Sequence, residues 1–157
     1  CPNTPGILAF NGCPDTDGDG IKDTQDQCPE VAGVPENNGC PAVQKQLDDY
    51  SKTILFVLEK AEILEESYPA LNHILEIVQE YPEATFTVSG HADSRGTKAF
   101  NQKLSEERAQ SIVDYMVNKG IAANRFQVLG YGETKPIATN ANRAGRKLNR
   151  RVEVVVD

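Results

Sequence analysis

Alternating apolar and polar side chains predict a β-strand near the middle of the chain, over residues 85 to 90. Phe86 and Val88 alternate with hydroxyl-bearing residues, so the apolar pair shares one face of the strand. A glycine follows, and Asp93 therefore stands at the carboxyl end of this strand. Ligands of α/β proteins meet that edge of a sheet, which makes the strand end the first candidate for a functional site.

The pattern after this strand has the period of an α-helix. From Leu104 a stripe advances four positions at a time, through Arg108 to Met116, and Gly120 ends the helix. Arg108 is the one charged member of the stripe. Burying a guanidinium without a partner would cost roughly several kcal/mol, so this side chain must find a carboxylate or reach water. Asp93 is the nearest candidate in the sequence.

The remaining elements follow from the same kinds of pattern. Helices are predicted over residues 42 to 51 and 65 to 80, and strands over 52 to 57, 126 to 129 and 152 to 156. A polar loop separates the last two strands. The order β-α-β-α-β-β predicts an α+β fold with a mixed sheet and helices mainly on one face.

Charge and cysteine content divide the chain. Residues 1 to 41 carry seven acidic side chains and one basic side chain, a net charge of −6, and they hold all four cysteines. Residues 42 to 157 carry sixteen acidic and fifteen basic side chains, a net charge of −1. We therefore expect an irregular segment over 1 to 41, a connecting helix over 42 to 51 and a folded domain over 52 to 157.

The cysteines belong to an internal repeat, in which CPNTPGILAFNGCP matches CPEVAGVPENNGCP. Each unit closes on Asn-Gly-Cys-Pro, which favours Cys1 with Cys13 and Cys28 with Cys40, although spacing leaves the other two connectivities open. Cysteines in this pattern, without the Cys-x-x-Cys of a zinc site, indicate an oxidising compartment. No apolar run approaches the ~20 residues of a membrane helix, and we expect a targeting signal and an anchor upstream of Cys1.

Between the cysteine units, DTDGDGIKDTQD has the spacing of an EF-hand calcium loop, with a glycine at position 6. The predicted Ca²⁺ ligands are Asp15, Asp17, Asp19, the Ile21 carbonyl, Asp23 and Asp26. Cys-Pro on both sides excludes the flanking helices of an EF-hand, and position 12 is Asp26 rather than a glutamate. Residues 13 to 41 instead resemble the thrombospondin type 3 repeat, a cysteine-flanked calcium stalk. A solvated acidic linker without metal is the alternative.

Four separated motifs from residue 53 onward resemble the OmpA-like peptidoglycan-binding domain: SGHADSRG, AFNQKLSEERA, GYGETKPIATN and GRKLNRRVEV. The resemblance implies a bacterial protein at the periplasmic face of the outer membrane. Its implied function is non-covalent binding of the diaminopimelate in the peptidoglycan stem peptide. The domain would then tether the outer membrane to the cell wall without acting as an enzyme.

The resemblance also implies the residues of the binding site. Asp93, Arg108, Asn101 and Arg150 match the residues that line the family's pocket. The chemistry of diaminopimelate is consistent with these residues. The ammonium of its amino acid head needs an anionic partner, and its carboxylate needs a bidentate donor such as a guanidinium. Two positions depart from the family. Glu59 adds a third charge near the pocket, which could either hold the ligand's ammonium together with Asp93 or compete for Arg108 and weaken binding. Ala92 replaces a hydroxyl residue, which removes a side-chain hydrogen bond.

Three alternatives accompany this interpretation. Asp93 and Arg108 could form only a structural ion pair within an interaction domain. A metal-dependent hydrolase could use His91, Asp93 and Glu133, but the sequence offers no second nearby histidine and no nucleophile paired with a base. The basic run from Arg143 to Arg151 could contact nucleic acid. It lacks interleaved aromatic residues and belongs to a slightly acidic domain, so we predict no nucleic-acid binding.

Overall fold

A computed structural model describes residues 1, 5 to 6 and 8 to 157 of the chain. The chain divides into two compact units, Cys1–Gln46 and Leu47–Asp157. The division falls within the helix that the sequence predicts over residues 42 to 51. The two units are built differently and are described separately below.

The described residues of the N-terminal unit are mostly irregular. They contain two short 3₁₀ turns, Leu8–Phe10 and Pro35–Asn37, and the first turn of a helix that begins at Val43. Disulfides join Cys1 to Cys13 and Cys28 to Cys40, with Cα–Cα distances of 4.9 and 5.0 Å. The pairing favoured by the sequence repeat is therefore confirmed. Each loop turns through an Asn-Gly pair in the left-handed region, as the sharp reversal before the second cysteine requires.

From residue 43 onward the chain forms four α-helices, three strands and two short 3₁₀ turns, Glu65–Ser67 and Ala123–Arg125. The helices are α1 (Val43–Ser51), α2 (Tyr68–Glu80), α3 (Lys98–Asn118) and α4 (Arg143–Asn149). The strands are β1 (Phe86–His91), β2 (Phe126–Gly130) and β3 (Arg151–Val156). Among the described residues, no helix combines the length and the apolar character that crossing a bilayer requires.

The three strands form one mixed sheet in the order β2-β1-β3. β1 runs parallel to β2, with Val88 opposite Val128, and antiparallel to β3, with Val88 opposite Val154. The predicted α+β class is confirmed. Long α3 covers β1 and β2, and it approaches β1 so closely that a Cβ at Gly90 would clash with the Ser105 carbonyl oxygen.

The strand predicted over residues 52 to 57 is not formed. The chain there makes a tight hairpin instead, with an isolated bridge between Phe56 and Ile63. The Val57 N–H donates to the Glu62 carbonyl at 2.8 Å, and Glu59 takes a left-handed φ of 59° at the tip. Apolar composition alone could not distinguish a sheet strand from one arm of this hairpin.

The loop predicted before the last strand contains α4, which is a second correction. The Asn142 side chain caps this helix by accepting from the Gly145 N–H at 2.7 Å. Gly145 weakens a sequence-based helix prediction, yet here its missing side chain allows close packing, because a Cβ would clash with the Thr139 carbonyl oxygen.

The core of the C-terminal unit lies between the helices and one face of the sheet. Phe86, Val88, Val152 and Val154 are almost fully buried on the strands. The buried face of α2 comprises Leu71, Ile74, Ile77 and Val78, and that of α3 includes Leu104, Ile112, Val113 and Met116. This core fixes the positions of the β1 end and of α3, and the candidate site depends on both.

Candidate ligand-binding site

Asp93 lies two residues beyond the end of β1 and is 5% exposed. One of its carboxylate oxygens accepts from the Arg95 N–H at 2.9 Å, which closes the turn after the strand. The other accepts from Arg150 Nη1 at 2.5 Å, which forms an ion pair. Each carboxylate oxygen of Asp93 therefore has a donor, as a buried polar group requires.

Arg108 occupies the apolar stripe of α3 and is 9% exposed. Its Nε donates to the Lys60 carbonyl at 2.9 Å and its Nη2 to the Val57 carbonyl at 3.4 Å. The guanidinium lies 5.0 Å from the centre of the Phe56 ring. Burial, together with the positive charge of Arg150, lowers the pKa of Arg108, and the charge of Asp93 opposes that shift.

Asp93 and Arg108 do not form the direct ion pair that their proximity in sequence suggests. The acid pairs with Arg150, and the hairpin carbonyls satisfy part of the guanidinium. The structural ion pair between Asp93 and Arg108 is therefore wrong as an explanation of these two residues.

Both residues nevertheless face the same cavity, which has a volume of about 390 Å³. Its lining residues are Leu58, Glu59, Ala92, Asp93, Arg95, Gly96, Phe100, Asn101, Leu104, Arg108, Arg143, Arg146 and Arg150. All six residues named from the sequence as ligand-binding are among them. The cavity thus has an acid on one element and a guanidinium on another, both nearly buried.

The side chain of Asn101 stabilises the turn after β1 through hydrogen bonds. Its side-chain amide donates to the Arg95 carbonyl at 2.7 Å and to the Asp93 carbonyl at 3.2 Å. Thr97 caps α3 by accepting from the Phe100 N–H at 3.1 Å, which orients the first turn that carries Asn101. In this structure Asn101 therefore positions Asp93.

The two positions that depart from the family take different places in the cavity. Glu59 is exposed, and it lies at the tip of the hairpin whose carbonyls hold Arg108. Ala92 is 8% exposed, and its N–H donates to the Gly132 carbonyl at 2.8 Å. Glu59 thus contributes negative charge at the edge of the cavity, whereas Ala92 contributes only a small apolar surface.

Sequence reasoning did not place Arg95, Arg143, Arg146, Leu58 and Phe100 at the site. Arg143, Arg146 and Arg150 are spaced by three and four residues, which puts them on one side of a helix. That signal was present, but it has meaning only once the segment is known to be helical.

The three residues of the hydrolase alternative are not brought together. Asp93, His91 and Glu133 line three different cavities. His91 Nε2 lies 3.0 Å from a Glu153 oxygen and 3.1 Å from Ser89 Oγ. Burial and the charge of Arg151 lower the pKa of His91 to about 4.

In the N-terminal unit, Asp15, Asp17 and Asp19 offer oxygens that lie within 4.8 Å of one another. Burial and the charges of Asp19 and Asp26 raise the pKa of Asp17. Asp26 is 9% exposed, and one oxygen of Asp26 and one of Asp17 are buried without a hydrogen-bond partner.

The other predicted calcium ligands have different contacts. Both oxygens of Asp23 accept from Thr16, at 2.8 Å from its N–H and 2.6 Å from its hydroxyl. The Ile21 N–H donates to Asp19 at 2.8 Å. Asp23 is therefore directed towards Thr16, and Ile21 orients a member of the carboxylate group.

Several known proteins are similar in sequence to most of this chain. Outer membrane porin F of Pseudomonas aeruginosa is 41% identical over 152 residues, which are 92% of this chain and 42% of that protein. The peptidoglycan-binding protein ArfA of Mycobacterium tuberculosis is 33% identical over 80% of this chain and 39% of its own length. The chain thus spans less than half the length of these relatives.

Among solved structures, the cell wall anchor of the T6SS from Pseudomonas aeruginosa has a TM-score of 0.62 and 31% identity. The matched region covers 74% of this chain and 96% of the chain of that structure. The peptidoglycan-associated lipoprotein from Burkholderia pseudomallei shares the fold, with a TM-score of 0.62 at 21% identity over 66% of this chain and 88% of its own. The OmpA family model matches residues 55–150. The chain therefore belongs to the OmpA family, a structural, non-enzymatic family, and the prediction that it is not an enzyme is confirmed.

Proposed function

We propose that the C-terminal unit binds bacterial peptidoglycan non-covalently, through the diaminopimelate of the stem peptide. The observation that carries this proposal is the placement of Asp93 and Arg108, both nearly buried, on the wall of one cavity. The similarity to the peptidoglycan-binding protein ArfA and to the T6SS cell wall anchor supports the peptidoglycan part of this proposal.

Arg108 suits the carboxylate of the diaminopimelate head. Backbone carbonyls already hold its Nε and Nη2, so its orientation is fixed before a ligand arrives. Nη1 makes no hydrogen bond within the described part of the chain and can donate to a ligand oxygen. A preoriented guanidinium loses little side-chain entropy on binding, which raises affinity.

Asp93 suits the ammonium of the same head. The turn amide of Arg95 fixes one of its oxygens, and the other holds Arg150. An ammonium that approaches Asp93 would share this second oxygen with Arg150, or would displace a guanidinium that is itself 39% exposed. Arg150 thus occupies this oxygen of Asp93 until the ligand binds.

The experiment that tests this proposal compares two ligands that differ by one group. A stem peptide with lysine in place of diaminopimelate keeps the side-chain ammonium and lacks the terminal carboxylate. We expect isothermal titration calorimetry of the whole chain to give saturable binding of the diaminopimelate peptide. The lysine peptide should bind about 30-fold more weakly, because it leaves the Arg108 donors unpaired.

Variants assign the effect to named groups. Arg108→Ala should abolish discrimination between the two peptides, and Asp93→Asn should weaken both alike, since both carry the ammonium. Lys103→Gln on α3 is the matched control, because its side chain is 79% exposed and does not line the cavity. Equal affinity of the unaltered chain for the two peptides, or no binding of either at millimolar concentration, would overturn the proposal.

We propose further that the protein works in the periplasm and tethers the outer membrane to the wall through an anchor upstream of this chain. The match to porin F over nearly the whole chain supports this location. Purified sacculi should co-sediment the unaltered chain and leave Arg108→Ala in solution.

We also infer that the N-terminal unit binds Ca²⁺. The support comes from the buried, unpartnered oxygens of Asp17 and Asp26 beside the Asp15, Asp17 and Asp19 group. The N–H groups of Gly18 and Gly20 donate to Asp15 at 2.9 and 3.0 Å and so orient its carboxylate. Oxygen ligands of this kind suit Ca²⁺, and a bound cation would stabilise the unit by offsetting carboxylate repulsion, as the resemblance to a thrombospondin type 3 repeat implies.

Calorimetric titration with Ca²⁺ should give a Kd of roughly 10⁻⁴ to 10⁻³ M, the range of extracellular modules. Asp17→Asn and Asp26→Asn should each remove most of the heat. Glu36→Gln, an exposed acid in the same unit, is the control and should leave the titration unchanged. Absence of Ca²⁺ binding to the unaltered chain would leave this segment as an acidic linker.

A further inference from the structure

Two arginines of α4 and the arginine that follows this helix form a stripe, and the proposed diaminopimelate site uses only part of it. Arg143, Arg146 and Arg150 are separated by three and four residues, and all three line the cavity. Arg150 is engaged by Asp93, and Arg146 donates to the Asn140 carbonyl at 3.0 Å. Arg143 is exposed, and its side chain makes no hydrogen bond or ion pair within the described part of the chain.

The charge of the cavity exceeds what one amino acid head requires. Five arginines and two acids line it, which gives a net charge of +3. An amino acid head carries one ammonium and one carboxylate and is neutral, and Asp93 with Arg108 matches both groups. Like charges held together repel one another, so the surplus favours a ligand with further negative charge.

Arg143 and Arg146 are placed to share one anion. Side chains three residues apart on a helix have Cβ atoms about 5 to 6 Å apart, a separation that two guanidinium groups can close around a carboxylate. Arg146 is half-buried and held by Asn140, which fixes one side of that pair. The site lies on the same cavity as Asp93, so a single extended ligand can reach both.

We propose that Arg143 and Arg146 form a second anion subsite, which binds a carboxylate on a stem-peptide residue adjacent to diaminopimelate. This inference rests on the proposed function and specifies its ligand. The cavity selects stem peptides with free main-chain carboxylates over peptides in which those carboxylates are amidated. Carboxamides keep the shape of the ligand but lack the charge that the arginine pair attracts.

The test uses two diaminopimelate peptides that keep the free side-chain head. One carries its other carboxylates free, and the second carries them as amides. At low ionic strength we expect the unaltered 157-residue chain to bind the free form about fivefold more tightly, as one or two partly exposed ion pairs would give. Raising the salt concentration should reduce this ratio, because exposed charges are screened.

The double variant R143Q/R146Q should bind both peptides equally and still prefer diaminopimelate to lysine. The matched control K103Q/K147Q removes the same charge from side chains outside this cavity and should keep the fivefold preference. The inference is overturned if the unaltered chain binds the free and amidated peptides equally, or if the control loses the preference as fully as R143Q/R146Q. Failure of the diaminopimelate proposal would appear separately, as equal affinity for the diaminopimelate and lysine peptides.

Discussion

The two units of the chain are stabilised by different kinds of interaction. The C-terminal unit buries a continuous set of apolar side chains between its sheet and its helices. The only buried apolar residue among the described residues of the N-terminal unit is Cys13, which belongs to a disulfide. Covalent links and carboxylate-centred turns take the place of a core there, as is common in small extracytoplasmic segments.

The difference indicates that each unit should respond to its own kind of damage. Removing apolar volume should unfold the C-terminal unit and spare the other. Removing a disulfide should do the reverse. A substitution in one unit should therefore leave the stability of the other unit unchanged.

Phe86→Ala should have the largest effect. Phe86 is fully buried in β1, with the Phe126 ring centre 6.1 Å away, so truncation should cost about 4 kcal/mol of unfolding free energy. Urea unfolding of the C-terminal unit would measure the loss. Hydrogen exchange in the N-terminal unit should not change, and accelerated exchange there would show that the two units are not independent.

Replacing Cys28 and Cys40 together by serine should come next. The disulfide closes a loop with a sequence separation of 12, and the chain-entropy model gives it about 3 kcal/mol of stabilisation. Amide exchange over residues 28 to 40 should become fast, while the urea midpoint of the C-terminal unit stays constant. A fall in that midpoint would contradict the separation.

Acid should act on the C-terminal unit through His91. The pKa of this buried histidine is about 4 in the fold and 6.5 in an unfolded chain, so the unfolded chain binds a proton first as the pH falls. The contribution of neutral His91 to the unfolding free energy is fully present above pH 6.5 and is lost as the pH falls towards 4. Lowering the pH from 7 to 5 should therefore cost about 2 kcal/mol of unfolding free energy.

His91→Gln provides the control for that prediction. This variant should lose much less stability between pH 7 and pH 5, whatever its stability at pH 7. Denaturant unfolding at both values gives the comparison directly. An equal loss in the two proteins would assign the acid sensitivity to other groups.

Thr97→Ala should have the smallest effect. Thr97 caps α3 through a hydrogen bond from the Phe100 N–H at 3.1 Å, and loss of a cap costs about 1 kcal/mol. Thr97→Ser keeps a capping hydroxyl and should restore most of that stability. Thermal unfolding of the three proteins measures the difference, and no change in Thr97→Ala would show that this cap is dispensable.

The sequence predicted β1, α2, α3 and the two later strands because long periodic segments report which face is buried. The prediction was wrong for two segments whose composition is compatible with more than one secondary structure. The apolar run at 52 to 57 became a hairpin arm, and the polar run before β3 became α4. Both errors concern segments whose conformation is decided by tertiary packing.

The sequence predicted six of the residues that line the cavity, but it did not predict the ion pair within it. Motif resemblance placed Asp93 and Arg108 at one pocket, and both line one cavity. The partner of Asp93 is Arg150, which is 57 positions away in sequence. No periodic pattern connects residues that far apart, because their contact depends on β3 pairing with β1.

The hydrogen bonds of Arg108 to the Val57 and Lys60 carbonyls determine how a mechanical load on the proposed wall attachment would be distributed. Tension on a ligand held by this side chain would pass into α3 and, through the two carbonyls, into the backbone of the hairpin. Tension on Asp93 would enter the central strand of the sheet and, through Arg150, its antiparallel neighbour. The load of a wall attachment would thus be divided among four backbone segments and would fall on no single loop.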